Sequence, residues 1–341
     1  MSIIVYPPDF SGMHEITNAT AVQMSYYYND IGKLILDVPI NADNVAALKN
    51  DSILYDTVKK LAYIIKNVKT DTTANRITAN GFTTNQKLNS RVILVPVTFT
   101  PVEDGIYAVV NQNLRGLPRV ATAASKGLTK LAHMTLYGGD MLDKIMPVLE
   151  NAGYGNRMNW NHRTMEHTFE IYQGKDLTTG PHAVVFSDEQ GTAKDLVIND
   201  DASEFKNVAY IVAEFTERRK LVESVGTATG DDRHEMWFEV GLTPNDGETE
   251  EQFRARMRSH GAMELGKQKC KLSCSAVVDP TELGVLYNVG DLVACVSKRF
   301  GIRFNARVSG VKFKKDSKSE TAEIVLGEPE SITIEEVNFS G

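Results

Sequence analysis

Cysteine is scarce in this chain: Cys270, Cys274 and Cys295 are the only three in 341 residues. Cys270 and Cys274 stand four apart in KCKLSCSAVV, a stretch that alternates as a strand does. Four strand residues span about 13 Å, too far for a disulfide or a shared metal. Cys295 lies in a second apolar run, so all three are expected as buried thiols. Nothing here calls for oxidative folding. Tryptophan is scarcer still, with Trp160 and Trp237 alone. A host-surface or carbohydrate-binding module needs an exposed aromatic platform, and Trp237 falls in an apolar strand, where core is expected. No apolar run approaches the ~20 residues of a membrane span, and MSIIVYPPDF lacks the basic-then-apolar pattern of a secretion signal. These absences predict synthesis in a cytosol and no stable membrane insertion.

Positive charge is also in deficit. Lysine and arginine total 37 against 44 acidic residues, a formal charge of −7. A general nucleic-acid binder needs the opposite balance to neutralise phosphates. One basic cluster exists, in Lys298, Arg299, Arg303, Arg307, Lys312, Lys314, Lys315 and Lys318. Few aromatics interleave it, so it reads as the solvated face of a sheet, with lysines guarding an edge.

The common catalytic signatures are missing together. There is no G-x-S-x-G, no dinucleotide GxGxxG, and no calcium loop in Asp195, Asp200, Asp201 and Glu204, which lack alternate spacing and a central glycine. Asp200 and Asp201 are expected to cap a turn. Gly261 to Lys267 approaches a phosphate loop, but Gln268 stands where a hydroxyl should meet magnesium, and the segment continues a helix. The best enzymatic candidate is His162-Arg163-Thr164-Met165-Glu166-His167, which would make a zinc hydrolase or peptidase. Its histidines are five apart, which separates them on a helix and on a strand alike. Surface histidines are expected instead. No catalytic, cofactor-binding or metal residue is assigned, and no cofactor is implied.

What is present is β-structure. Ile302, Phe304, Ala306 and Val308 alternate with Arg303, Asn305 and Arg307, a strand with one face buried. Leu292–Val296 precedes it and Ala322, Ile324 and Leu326 follow, which predicts an antiparallel meander belonging to a barrel or sandwich. Strands are also predicted over Tyr26–Asn29, Leu34–Val38, Lys60–Val68, Ile77–Phe82, and Val92–Phe99 at an edge because of Pro96. Asn44–Leu48 suggests one helical turn. Met141, Leu142, Ile145, Met146, Val148 and Leu149 mark a helix between an Asp140 cap and Gly153, with Pro147 inside it. A shorter helix is expected over Ala121–Leu131. Strands return from Thr168 and include Met236–Val240. Between these, Thr249 with Gln252 forms a capping box that opens a helix inserted into β-structure.

Four stretches, taken in order, resemble the siphophage tail-tip hub proteins, which are similar in fold to the baseplate hubs of contractile-tailed phages. They are GKLILDVPINADNVAAL, IIKNVKTDTTANRITANGFTTNQKLNSRVI, FEIYQGKDLTTGPHAVVFS, and VGTATGDDRHEMWFEVGL together with YNVGDLVACV…ARVSGV. Each motif is soft; order and spacing carry the likeness. The resemblance implies a β-rich α+β fold with two tube-like antiparallel β-barrel domains and inserted helical segments. The expected division is residues 1–115 as the first barrel-like domain, 116–160 helical, and 161–341 as the second, with its helix at about 248–265. It implies a homotrimer forming a pseudo-sixfold ring at the virion tail tip, with DNA only as passing cargo. Its expected partners are a distal tail protein or tail tube, a tape measure protein, and fibre or receptor-binding proteins. Gly174 and Asp176 would order a turn, and Gly290 and Asp291 would open the meander. Because the chain stops at Gly341, cell-wall cleavage and receptor binding are expected on other proteins.

Overall fold

The computed structural model describes residues 2–268, 271–297, 302–316 and 318–327. Its N-terminal half is antiparallel sheet. Strands β1 (Ile3–Tyr6), β2 (His14–Ile16), β3 (Ala21–Tyr27) and β4 (Lys33–Pro39) lead through the short helix α1 (Ala42–Ala47) to β5 (Ile53–Asp56), β6 (Leu61–Asp71) and β7 (Arg76–Thr83). Their spatial order is β3-β4-β7-β6-β5-β1-β2. Alternate residues from these strands, among them Val5, Met24, Leu36, Leu54, Tyr63 and Ile77, meet in one cluster, and Tyr6, Ile53, Tyr55 and Ile64 on the other face form a second with Trp160. Each such side chain removed from water contributes about 1.5–3 kcal/mol. Asn41 caps α1 by accepting the Asn44 N–H at 2.7 Å.

After a 3-10 turn over Thr84–Ser90 come β8 (Val97–Pro101), α2 (Val102–Asn113), β9 (Val120–Thr122), β10 (Leu131–Leu136), α3 (Met141–Ala152), β11 (Gly155–Asn161) and β12 (Glu166–Tyr172). Three expectations change here. The strand expected from Val92 begins only at Val97, because Pro96 cannot donate to a ladder. A helix, α2, occupies a stretch for which no element was predicted; its buried Val102, Ile106, Val109 and Val110 fall on a helical stripe. The helix expected over Ala121–Leu131 is absent. Val120–Thr122 pairs parallel with β12 instead. Beyond it, the buried Glu103 carboxylate accepts the Lys126 and Leu128 N–H groups and the Ser125 hydroxyl, which fixes that segment as a loop. Helix α3 is where its pattern placed it: it runs through Pro147 and ends at Gly153, whose φ of 74° suits glycine.

The next elements are β13 (Val185–Phe186), β14 (Lys194–Asp201), β15 (Val208–Thr216), β16 (Arg219–Val225), β17 (Glu235–Glu239) and α4 (Glu250–Gly266). β16, β15 and β17 form a three-stranded sheet covered on one face by α4, with Phe253 and Met257 against Ala209, Ile211 and Leu221. The capping box is present, with Thr249 and Gln252 bonding reciprocally. Trp237 is not in the core. Alternation sends Met236 and Phe238 toward α4, so Trp237 lies on the outer face, 62% exposed, beside Tyr210. Trp160 is the buried one, at 7%.

The closing strands are β18 (Lys271–Val278), β19 (Leu292–Ser297), β20 (Ile302–Asp316) and β21 (Glu320–Gly327). The meander β19-β20-β21 is antiparallel as expected. Strand β20 is longer than its first alternation suggested. Its register shifts between Val308 and Gly310, and the buried face moves from Ala306 and Val308 to Val311 and Phe313. One extra residue in a bulge has that effect. Past the bulge β20 pairs with β3 over Gly310–Asp316, which unites both ends of the chain in one thirteen-stranded sheet.

The C-terminal half curls. β18 and β19 are separated by β21 and β20, about 14 Å in a flat sheet. Yet the Sγ atoms of Cys274 and Cys295 lie 3.7 Å apart, both buried and both free. The N-terminal and C-terminal strands thus each have a main core of their own, with a further one around α2 and α3. The architecture is β-rich α+β with inserted helices. Cys270 lies outside the described residues.

Candidate functional site

Residues 162–165 form a hairpin turn rather than a helix, and Glu166 and His167 open β12. β11 and β12 pair antiparallel, and the Asn161 side chain accepts the Arg163 and Thr164 N–H groups across the turn. His162 is exposed and stacks on Tyr55, with ring centroids 5.8 Å apart. Glu166 is exposed. His167 differs from expectation: it is 1% exposed, packed at 4.5 Å on Trp160. Burial, and then the charge of Lys87, depresses its pKa to about 3. The cross-strand pair Trp160–His167 explains the burial, because β12 presents alternate residues inward. Among the described residues no cluster of His, Cys, Asp or Glu could hold a metal ion.

The other candidates scatter. Asp201 caps a turn through the Ser203 N–H. Gly261 and Gly266 lie within α4. Of the basic cluster, Arg303, Lys314 and Lys318 are exposed, and Lys298 and Arg299 lie outside the described residues.

The predicted turn residues, by contrast, converge. Gly174 follows β12, and Gly290 precedes β19, at φ 103°. The two backbones touch so closely that a Cβ on Gly174 would lie 1.7 Å from the Gly290 carbonyl oxygen. Asp291, 3% exposed, accepts the Lys175 N–H at 2.7 Å and the Asn288 N–H at 2.8 Å. Asp176 accepts the Thr178 N–H and hydroxyl, turning the chain toward β13. A parallel bridge joins Asp176 to Leu292.

Tyrosines lock this crossing to the rest of the molecule. Tyr28 donates its hydroxyl to the carbonyls of Gly153 and Tyr172. Tyr172 packs edge-on against the Tyr28 ring and donates to the Val289 carbonyl at 3.3 Å. Arg307 lies over the Tyr28 ring and donates to the Gly290 carbonyl at 2.6 Å. Three distant segments meet here, near residues 28, 172 and 290. The only sequence signal for this role was the run Tyr26–Tyr28, which alternation assigned merely to a strand.

An ionic cluster continues the junction. Glu170, 9% exposed, accepts Arg157 Nε at 2.7 Å and Asn159 Nδ2 at 2.6 Å, and pairs with Lys126. Arg157 also lies over the Tyr172 ring, 4.7 Å from its centroid. Burial alone would raise the Glu170 pKa, but the bonds from Arg157, Lys126 and Asn159 outweigh it and bring the group to about 2. Its folded pKa is therefore below its ordinary value of 4.5. The stability it contributes is complete above about 4.5 and is lost as pH falls toward 2. Glu170→Gln should remove that acid-dependent part. Urea midpoints measured from neutral pH down to about pH 3 should fall less steeply in the variant than in the wild type, and equal slopes would contradict the assignment.

This interlocked fold is shared by phage tail proteins. The tail protein of Neisseria meningitidis MC58 aligns at a TM-score of 0.63 with 11% identity, covering 96% of each chain. The 43 kDa tail protein of prophage MuSo2 from Shewanella oneidensis aligns at 0.61 with 11% identity, over 96% of this chain and 98% of that one. Prophage tail protein gp18 of Listeria monocytogenes EGD-e aligns at 0.59 with 13% identity, over 97% and 96%. The class these likenesses define is a β-rich α+β fold shared with tail proteins. Within it, the chain belongs to the family described as Siphovirus ReqiPepy6 Gp37-like protein, whose model matches residues 2–328. Among curated proteins none matches.

Proposed function

We propose that this chain is the structural hub of a siphophage tail tip or baseplate, a homotrimer whose subunits each supply two related halves of a pseudo-sixfold ring. The carrying observation is the single sheet in which two halves, each with a main core of its own, are joined edge to edge by the β3–β20 ladder. On this reading residues 1–115 and 161–341 furnish the two tube-like halves and 116–160 the helical segment between them. The ring would continue the tail tube and adapt it to threefold tip components. Its neighbours would be a distal tail protein or tail tube, a tape measure protein, and fibre or receptor-binding proteins. The net charge of −7 suits a channel through which DNA slides, because basic walls would hold the phosphates. The role is structural rather than catalytic.

Negative-stain electron microscopy of the purified chain, alone and mixed with the tail tube protein of the same phage, tests this. Threefold rings with a central opening are expected in at least one condition. Compact monomers in both would overturn the ring.

A further inference from the structure

A hollow of about 610 Å³ opens beside the buried histidine and away from the Gly174–Gly290 junction. Ile53 and Ile64 give it an apolar wall, Lys66, Lys87 and Arg119 bring three cations to it, and His167 lines it. Lys66 is the extra residue of a bulge in β6, where the register shifts between Ile65 and Asn67. A bulge re-aims a side chain that a regular strand would have placed on the other face. Two carboxylates also line the hollow, and both are engaged: Asp51 pairs with Lys66 at 2.6 Å, and Asp9 accepts from Ser11.

Among the described residues neither Lys87 nor Arg119 forms an ion pair of its own; Asp51, paired with Lys66, favours the Lys87 charge only from a distance. The Lys87 side chain, half-buried on the 3-10 turn, makes no hydrogen bond or ion pair among the described residues. The Arg119 guanidinium is held over the Phe10 ring, 4.6 Å from its centroid. His167, 1% exposed, has neither ring nitrogen bonded to the protein. An unsatisfied buried donor costs about 1–3 kcal/mol, and a half-buried cation without a counter-charge also adds to the cost. A buried polar group left this way calls for a partner such as a water, an ion or a ligand, and the two cations beside it favour an anion.

We propose that this hollow binds a phosphate group, with Lys87 and Arg119 neutralising it and the His167 imidazole bonding one of its oxygens. Both cations act as hydrogen-bond donors, and their pairing with an oxyanion is strong in a partly desolvated cleft. The phosphate could be a free ion or the terminal phosphate of a larger molecule; the site recognises the same chemistry in either.

Trp160 reports on the site because it packs on His167. In a Trp237→Phe background it is the sole tryptophan. Titration with inorganic phosphate at neutral pH should give a saturable change in its emission and a rise in melting temperature. Sodium chloride at matched ionic strength should give neither. Lys87→Met and, separately, Arg119→Gln should each weaken binding about tenfold. Arg119 is exposed, so its variant keeps the fold if the lysine variant does not. A parallel titration with glycerol 3-phosphate distinguishes the sources: binding as tight as that of inorganic phosphate assigns the site to a terminal phosphate, and markedly weaker binding assigns it to the free ion. Absence of any phosphate response in the wild type, or equal responses in wild type and both variants, would overturn the proposal.

Discussion

Gly174→Ala should destabilise the protein by about 3 kcal/mol or more, one of the largest single-residue effects available. The added Cβ would lie 1.7 Å from the Gly290 carbonyl oxygen, 2.1 Å from its carbon and 2.6 Å from the Asp291 nitrogen. All three are backbone atoms, and no side chain can swing aside to make room. Gly290 is itself held at φ 103°, and its carbonyl is bound by Arg307. The clash would therefore push on the crossing that fixes β12 against β19. Urea unfolding should show a sharply lowered midpoint, with loss of any assembled ring. Gly12→Ala is the matched control, since a Cβ there meets nothing within 4 Å. Its expected change is within about 0.5 kcal/mol. A Gly174→Ala protein as stable as this control would refute the junction as described.

Arg256→Met should cost about 3–5 kcal/mol, by a different mechanism. The Arg256–Glu248 pair is almost wholly buried, with side-chain exposures of 3% and 7%. Arg256 donates to both Glu248 oxygens, at 3.0 and 2.6 Å, and to the Thr243 carbonyl at 2.7 Å. Burial pushes the Glu248 carboxyl up, but the Arg256 bond, the Asn245 N–H and the arginine charge more than offset it, so the group stays ionised. Removing arginine alone leaves a buried carboxylate without its counter-ion. Adding Glu248→Gln removes that charge while keeping an acceptor for the Asn245 N–H, so the double variant should be more stable than Arg256→Met alone. Thermal melts of the four proteins in the cycle measure this, and strict additivity would show that the pair is not coupled. The site matters because the pair fastens α4 to the loop that precedes it, and α4 covers the β16-β15-β17 sheet.

Much of the local structure was legible in the chain. The alternation from Ile302 to Val308 is a period-two signal that needs no partner to be read, and it gave the meander. The Thr249–Gln252 capping box and the Asp140–Gly153 helix were likewise legible, because their signals lie within one or two turns. The helix at Val102–Asn113 was missed because β-prone residues surround it. The loop after β9 was read as helix because the buried Glu103 that organises it lies more than twenty residues earlier. Gly174, Asp176, Gly290 and Asp291 read as turn residues, and they are, but nothing local told that two of the turns touch.

By itself, then, the sequence determined which segments are strands and helices, where several of them stop, and a β-rich fold of the tail-protein kind. Hydrogen-bond patterns, caps and side-chain periodicity act over a few residues and are written into them. The tertiary structure alone decided that Trp237 faces out and His167 in, that Cys274 meets Cys295, and that β20 changes its buried face at a bulge to reach β3. Those outcomes depend on which face of an element another element covers, and for β20 that partner, β3, lies at the other end of the chain. Periodicity marks that an element has two faces; packing chooses between them.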